Sequence, residues 1–138
     1  MITIVDDQLL GTALREGVSA DPTELFTTGL WYVRLCQAVL GAVGRPGVLS
    51  APFTALPPAA RDRAIEALIE LPDGIGLVSL RDLAPLIGRL RQQHQLNILG
   101  MEALAGAVHL GAAVRLSTSS PKLQHALEME GRPSEVVS

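Results

Sequence analysis

The sequence predicts an α/β domain: a three-layer α/β/α arrangement around a central, mainly parallel sheet of about four strands. Three observations predict it. Short β-branched or apolar runs alternate with longer stretches of helical period in the order β-α-β-α-α-β-α-α-β-α, and strands joined through helices pair in parallel. Hydrophobic residues make up 48% of the 138 and charged residues 18%, enough apolar surface for helices to cover both faces of a sheet. No internal repeat and no linker long enough to separate folding units interrupts the pattern, so residues 1–138 read as one domain.

The first strand is ITIV (2–5), bounded by Asp6 and Asp7, after which Leu9, Leu10, Ala13 and Leu14 repeat at helical spacing until Gly17. ELFTT (24–28) supplies the second strand. It precedes GLWYVRLCQAVLGAV (29–43), whose Leu30, Val33, Leu35, Val39, Leu40 and Val43 predict a largely buried helix ended by Gly44 and Pro46. Trp31 and Tyr32 are adjacent on that helix. Neighbouring bulky residues cannot both turn toward one core, so one of them is expected to face away, covered by loop 44–58 or by a partner.

A loop with Pro52, Pro57 and Pro58 leads into AARDRAIEALIEL (59–71), where Ala64, Ile65, Leu68, Ile69 and Leu71 are expected to face inward before Pro72 and Gly74. IGLVSL (75–80) is the third strand. Leu83, Leu86, Ile87 and Leu90 then define an amphipathic helix with Arg81, Arg89 and Arg91 on its wet side. Residues 97–110 form a nearly all-apolar helix stopped by Gly111. The window Leu96 to Val114 carries Asn97, Glu102 and His109, which makes it a core helix rather than a membrane span. AAVRLS (112–117) is the fourth strand, and SSPKLQHALEMEG is the last helix, with Ser120 capping ahead of Pro121 and Gly131 just past the end.

Charge excludes little and implies less. A net charge of −3 and the lack of a basic run give no general attraction to phosphates; Arg89, Arg91 and His94 form the nearest approach to a patch and read as a solvated face. Cys36, the single cysteine, lies in an apolar run and reads as an inert thiol. His94, His109 and His125 lack zinc-type spacing. The first residues show no basic start and apolar stretch of a secretory signal, so a cytoplasmic protein is expected.

In parallel sheets ligands bind beyond the carboxyl ends of the strands, and Asp6 stands at that edge. On this segment alone it reads as a helix cap more readily than as a ligand. Four stretches then resemble one family, the PIN domains, which include the VapC-type ribonuclease toxins of bacterial toxin–antitoxin pairs. IVDDQLL is similar to the family's strand followed by Asp-x-x-x-Leu, and TTGLWYVRL to its second strand and helix. LNILGMEALAGAVHLGA is similar to the long helix that opens with an acid, and VRLSTSSPKL to the strand that ends in Thr-x-Asp-x-x-Leu. The resemblance covers nearly the whole chain.

It implies a ring of three or four carboxylates around one or two Mg²⁺ or Mn²⁺ ions, hard cations that activate water against a phosphodiester. Asp6 falls on the first acidic position and Glu102 on the third, as remnants of the catalytic set. Arg34 stands at the second position and Ser120 at the fourth, both substituted. A guanidinium in place of a carboxylate opposes a metal, and Arg34 is expected to pair with Asp6 or Glu102. Asp7 is the one substitute acid, although the side chain next to a strand end usually points elsewhere.

Two expectations follow. The first is a degenerate PIN-like domain that acts through protein or self association, without nuclease activity and without a cofactor; a homodimer or an antitoxin-like protein is the expected partner. The alternative is a divergent endoribonuclease toxin of a VapBC-type pair, dependent on Mg or Mn and acting on RNA. Neither implies a membrane.

Overall fold

The computed structural model describes residues 1–17, 24–41 and 45–137. Val43 and Gly44, expected to close the second helix, lie outside the described residues. The order is β1 (Ile2–Val5), α1 (Asp7–Glu16), β2 (Glu24–Thr27), α2 (Gly29–Leu40), α3 (Ala51–Thr54), α4 (Pro58–Ile69), β3 (Ile75–Leu77), α5 (Leu80–Leu90), α6 (Ile98–Leu110), β4 (Ala113–Leu116), α7 (Pro121–Met129) and β5 (Ser134–Val136). The α/β class is as expected, and the expected alternation is present with two additions, the single turn α3 inside the expected loop and β5 after the last helix. The sheet has five strands rather than about four, all parallel, in the order β3-β2-β1-β4-β5.

This order fixes where a site can form. The chain starts at the centre with β1, lays β2 and β3 on one side, then crosses back to place β4 and β5 on the other. Successive connections leave β1 in opposite directions, so the carboxyl ends of β1 and β4 flank a topological switch point, where a crevice opens between diverging loops.

Side chains alternate across the sheet and feed a core on each face. Ile4, Val114 and Leu116 pack with Leu83, Met101, Leu104 and Leu127 beneath α5, α6 and α7. Val5 and Ile75 pack with Leu10, Leu35, Phe53 and Leu68 beneath α1 to α4. The central helix is α6, buried without a break from Gly100 to Ala107. Its small residues allow a close approach to the sheet: a Cβ on Gly106 would stand 3.3 Å from the Ile4 side chain.

The second helix departs from expectation. Within α2 only Trp31 and Leu35 are buried, while Val33 is 47% and Leu40 51% exposed. Trp31 joins the core beneath α5–α7; Tyr32 joins the opposite core, and its hydroxyl donates to the Leu68 carbonyl at 2.7 Å. Neither ring therefore faces away. The helix touches α1, α4 and α6, so its adjacent aromatic residues serve two cores instead of competing for one. Ile69, expected inward, is exposed where α4 ends.

Candidate functional site

Beyond the ends of β1 and β4 lies a cleft of about 340 Å³, with Asp6, Asp7, Arg34, Asn97, Ser117 and Ser120 among its lining residues. Asp6 leaves β1 in extended conformation and caps α1: its Oδ1 accepts the Leu9 N–H at 3.0 Å. Its Oδ2 reaches across the switch point and accepts from the Ser117 N–H at 2.7 Å and the Ser117 hydroxyl at 2.6 Å. The two readings of Asp6, cap and cleft residue, thus describe one side chain. It ties the start of α1 to the end of β4 and is 6% exposed.

Asp7 is the first residue of α1, not a continuation of the strand, and helical geometry turns it into the cleft. Its Oδ1 accepts from the Gln8 N–H at 2.8 Å. Burial raises its pKa above the usual 3.8; Arg34 opposes that shift and the Asp6 charge adds to it. The Arg34 Nε lies 3.6 Å from Asp7 Oδ2, with the Arg34 side chain 51% exposed. The expected pairing of Arg34 with Asp6 or Glu102 is therefore corrected to Asp7. Asp6 has turned its oxygens toward the Leu9 N–H and the Ser117 N–H and hydroxyl, and Glu102 is bonded to the start of α2.

Glu102 is fully buried on α6 and does not line the cleft. Its Oε1 accepts the Leu30 N–H at 2.8 Å, a carboxylate satisfying a free donor in the first turn of α2. Its Oε2 has no hydrogen-bond partner among the described residues. Gly29 lies close by, and a Cβ there would stand 3.4 Å from that oxygen.

Ser120 stands at the cap position of α7, yet its hydroxyl makes no capping bond, contrary to expectation. Gln124 reaches back instead, and its Oε1 accepts from the Ser120 N–H at 2.9 Å and the Ser119 hydroxyl at 3.0 Å. Ser117 was missed in the sequence. The available signal was a hydroxyl residue directly after a strand at the switch point.

The fold thus brings Asp6, Asp7, Arg34 and Ser120 into one cleft and leaves Glu102 buried outside its lining. Among the described residues, no three side chains of His, Cys, Asp or Glu gather closely enough to share a metal ion. His109 and His125 are exposed, whereas His94 is buried with its Nε2 2.8 Å from Glu130 Oε2, away from the solvated face formed by Arg89 and Arg91. Cys36 is half-buried, and burial pushes its thiol up. Among the described residues no helix is long and apolar enough to cross a membrane.

Fold and cleft define an α/β domain with an all-parallel sheet and a polar, mixed-charge crevice at its switch point. Neither a protein-family model nor a curated protein matches the chain.

Proposed function

We propose that the chain is a degenerate PIN-like domain that works by association, with a second copy of itself or with an antitoxin-like protein in the cytoplasm, and not as a nuclease. The four stretches that carry the resemblance fall on suitable elements: IVDDQLL runs from β1 into α1, TTGLWYVRL from β2 into α2, LNILGMEALAGAVHLGA spans α6, and VRLSTSSPKL runs from β4 into α7.

The observation that carries the reading is the bonding of Asp6. A carboxylate offers about four acceptor positions, and Asp6 gives three of them to donors of its own chain. Metal-assisted hydrolysis needs carboxylates that face the substrate cleft together, with positions open for the ion. Glu102 faces the first turn of α2, and a guanidinium faces the cleft in the place of an acid.

Association has its own support on α2. Val33 and Leu40 are half-exposed and lie seven residues apart, two turns or about 10.5 Å, on one side of the helix. Two copies related by a twofold axis would bury this stripe against itself. Sedimentation equilibrium at micromolar concentration should show a dimer, weakened at least tenfold in Leu40→Glu. A chain that stays monomeric to about 100 μM, near −5.5 kcal/mol, contradicts self-association.

The alternative reading, a divergent Mg- or Mn-dependent ribonuclease, is favoured by one observation, the unpartnered Oε2 of Glu102. A buried carboxylate oxygen without a donor is costly, and a cation is one way to satisfy it.

A further inference from the structure

The cation that the resemblance calls for does not fit the residues that face this cleft. Of the two carboxylates at the matching acidic positions, one is engaged by Leu9 and Ser117 and the other lies outside the cleft. We propose that Arg34 is a resident counter-ion that has taken over the electrostatic role of the metal. It does so against Asp7, a residue at none of the matching acidic positions, and its charge keeps divalent cations out of the cleft.

The geometry supports an exchange of roles between neighbouring residues. Asp6 is committed to joining α1 and β4, so its charge is spread over three donors. Asp7, one residue later, presents its second oxygen to the cleft, where the only contact described for it is the Arg34 Nε at 3.6 Å. Arg34 comes from α2, across the cleft from α1, and remains half-exposed. A guanidinium is never deprotonated in this setting, so the positive charge is permanent and needs no ion from solution. A divalent ion entering beside it would meet repulsion worth about tenfold in affinity even at the dielectric of water, for a separation of roughly 6 Å. This inference concerns the cleft alone; it rests on the PIN-like reading for the role exchanged, and not on association.

The chain supplies its own reporter. Trp31 is its only tryptophan and lines the same cleft, so Tb³⁺ bound there gains luminescence through the indole. Tb³⁺ is titrated into the wild type, Arg34→Gln, Arg34→Lys, and Arg34→Gln combined with Asp7→Asn, with Mn²⁺ as competitor and circular dichroism to verify folding. The wild type and Arg34→Lys should show no Mn²⁺-displaceable signal below about 1 mM. Arg34→Gln should bind at least about tenfold more tightly, and the added Asp7→Asn should remove that gain. Mn²⁺-displaceable binding by the wild type below that concentration would overturn the proposal. So would a folded Arg34→Gln that binds no better than wild type. The oligomeric state is read separately by sedimentation, so failure here is distinct from failure of the association reading.

Discussion

Replacing Asp6 by alanine separates a carboxylate that holds the fold from one kept for chemistry. The substitution removes the acceptor of the Leu9 N–H and of both Ser117 donors, at a position 6% exposed. Loss of an N-cap costs about 1 kcal/mol. A hydrogen bond to a charged group contributes about 1.5–3 kcal/mol, but the cleft admits water that partly replaces the two Ser117 bonds, leaving about 2–3 kcal/mol for the pair. The total is about 3–4 kcal/mol. For a chain of this length, unfolding entropy near 2.1 cal/mol/K per residue makes each kcal/mol worth about 3–4 °C, so the midpoint should fall by about 10–14 °C. Urea denaturation at neutral pH measures the free energy and calorimetry the midpoint. A loss below about 1 kcal/mol would refute the argument, and a gain in stability would mark an acid retained at the expense of stability for function.

Gly76→Ala should destabilise the domain by about 1–3 kcal/mol, because the new Cβ would stand 2.4 Å from the Phe26 ring and overpack a sheet edge; Gly47→Ala, with nothing within 4 Å, is the control and should stay within about 0.5 kcal/mol. Asp7→Asn tests the raised Asp7 pKa. The native state holds the Asp7 proton more tightly than the unfolded chain, so the stability it contributes is full below 3.8 and is lost as pH rises through the raised value. The stability of Asp7→Asn relative to wild type should therefore improve between about pH 3 and about pH 7 in denaturation series, and the opposite slope would contradict the burial of Asp7.

The parts of the fold legible in the sequence are those with a strong period. The Leu83, Leu86, Ile87, Leu90 series announces its helix because burial on one face imposes the spacing, and ITIV announces its strand by a short β-branched run buried on both faces of the sheet. Strand β5 is three residues, SEV, with two of them exposed, and α3 is a single turn; elements that short carry no period. The α2 burial was misjudged because apolar residues occur on more of its circumference than the two cores use, and Val33 and Leu40 are what remains. In the cleft, Asp6 was legible from its place at the end of the first strand, and Arg34 only through the family resemblance. The Asp7 partner was not, because it depends on the helix starting with only Asp6 between it and the end of the strand. Nor was the depth of Glu102, which depends on α6 being buried without a break from Gly100 to Ala107 and on the bond its Oε1 accepts from the start of α2.

The most direct measurement of the central claim is an RNA cleavage assay on the purified wild-type chain in millimolar Mn²⁺ and Mg²⁺. With Asp6 engaged by its own chain, Glu102 outside the cleft and Arg34 within it, RNA should remain intact at a rate no different from a protein-free control. Cleavage that requires the metal, stops on chelation and is absent from a folded Asp6→Asn variant would contradict the account and establish the ribonuclease reading in its place.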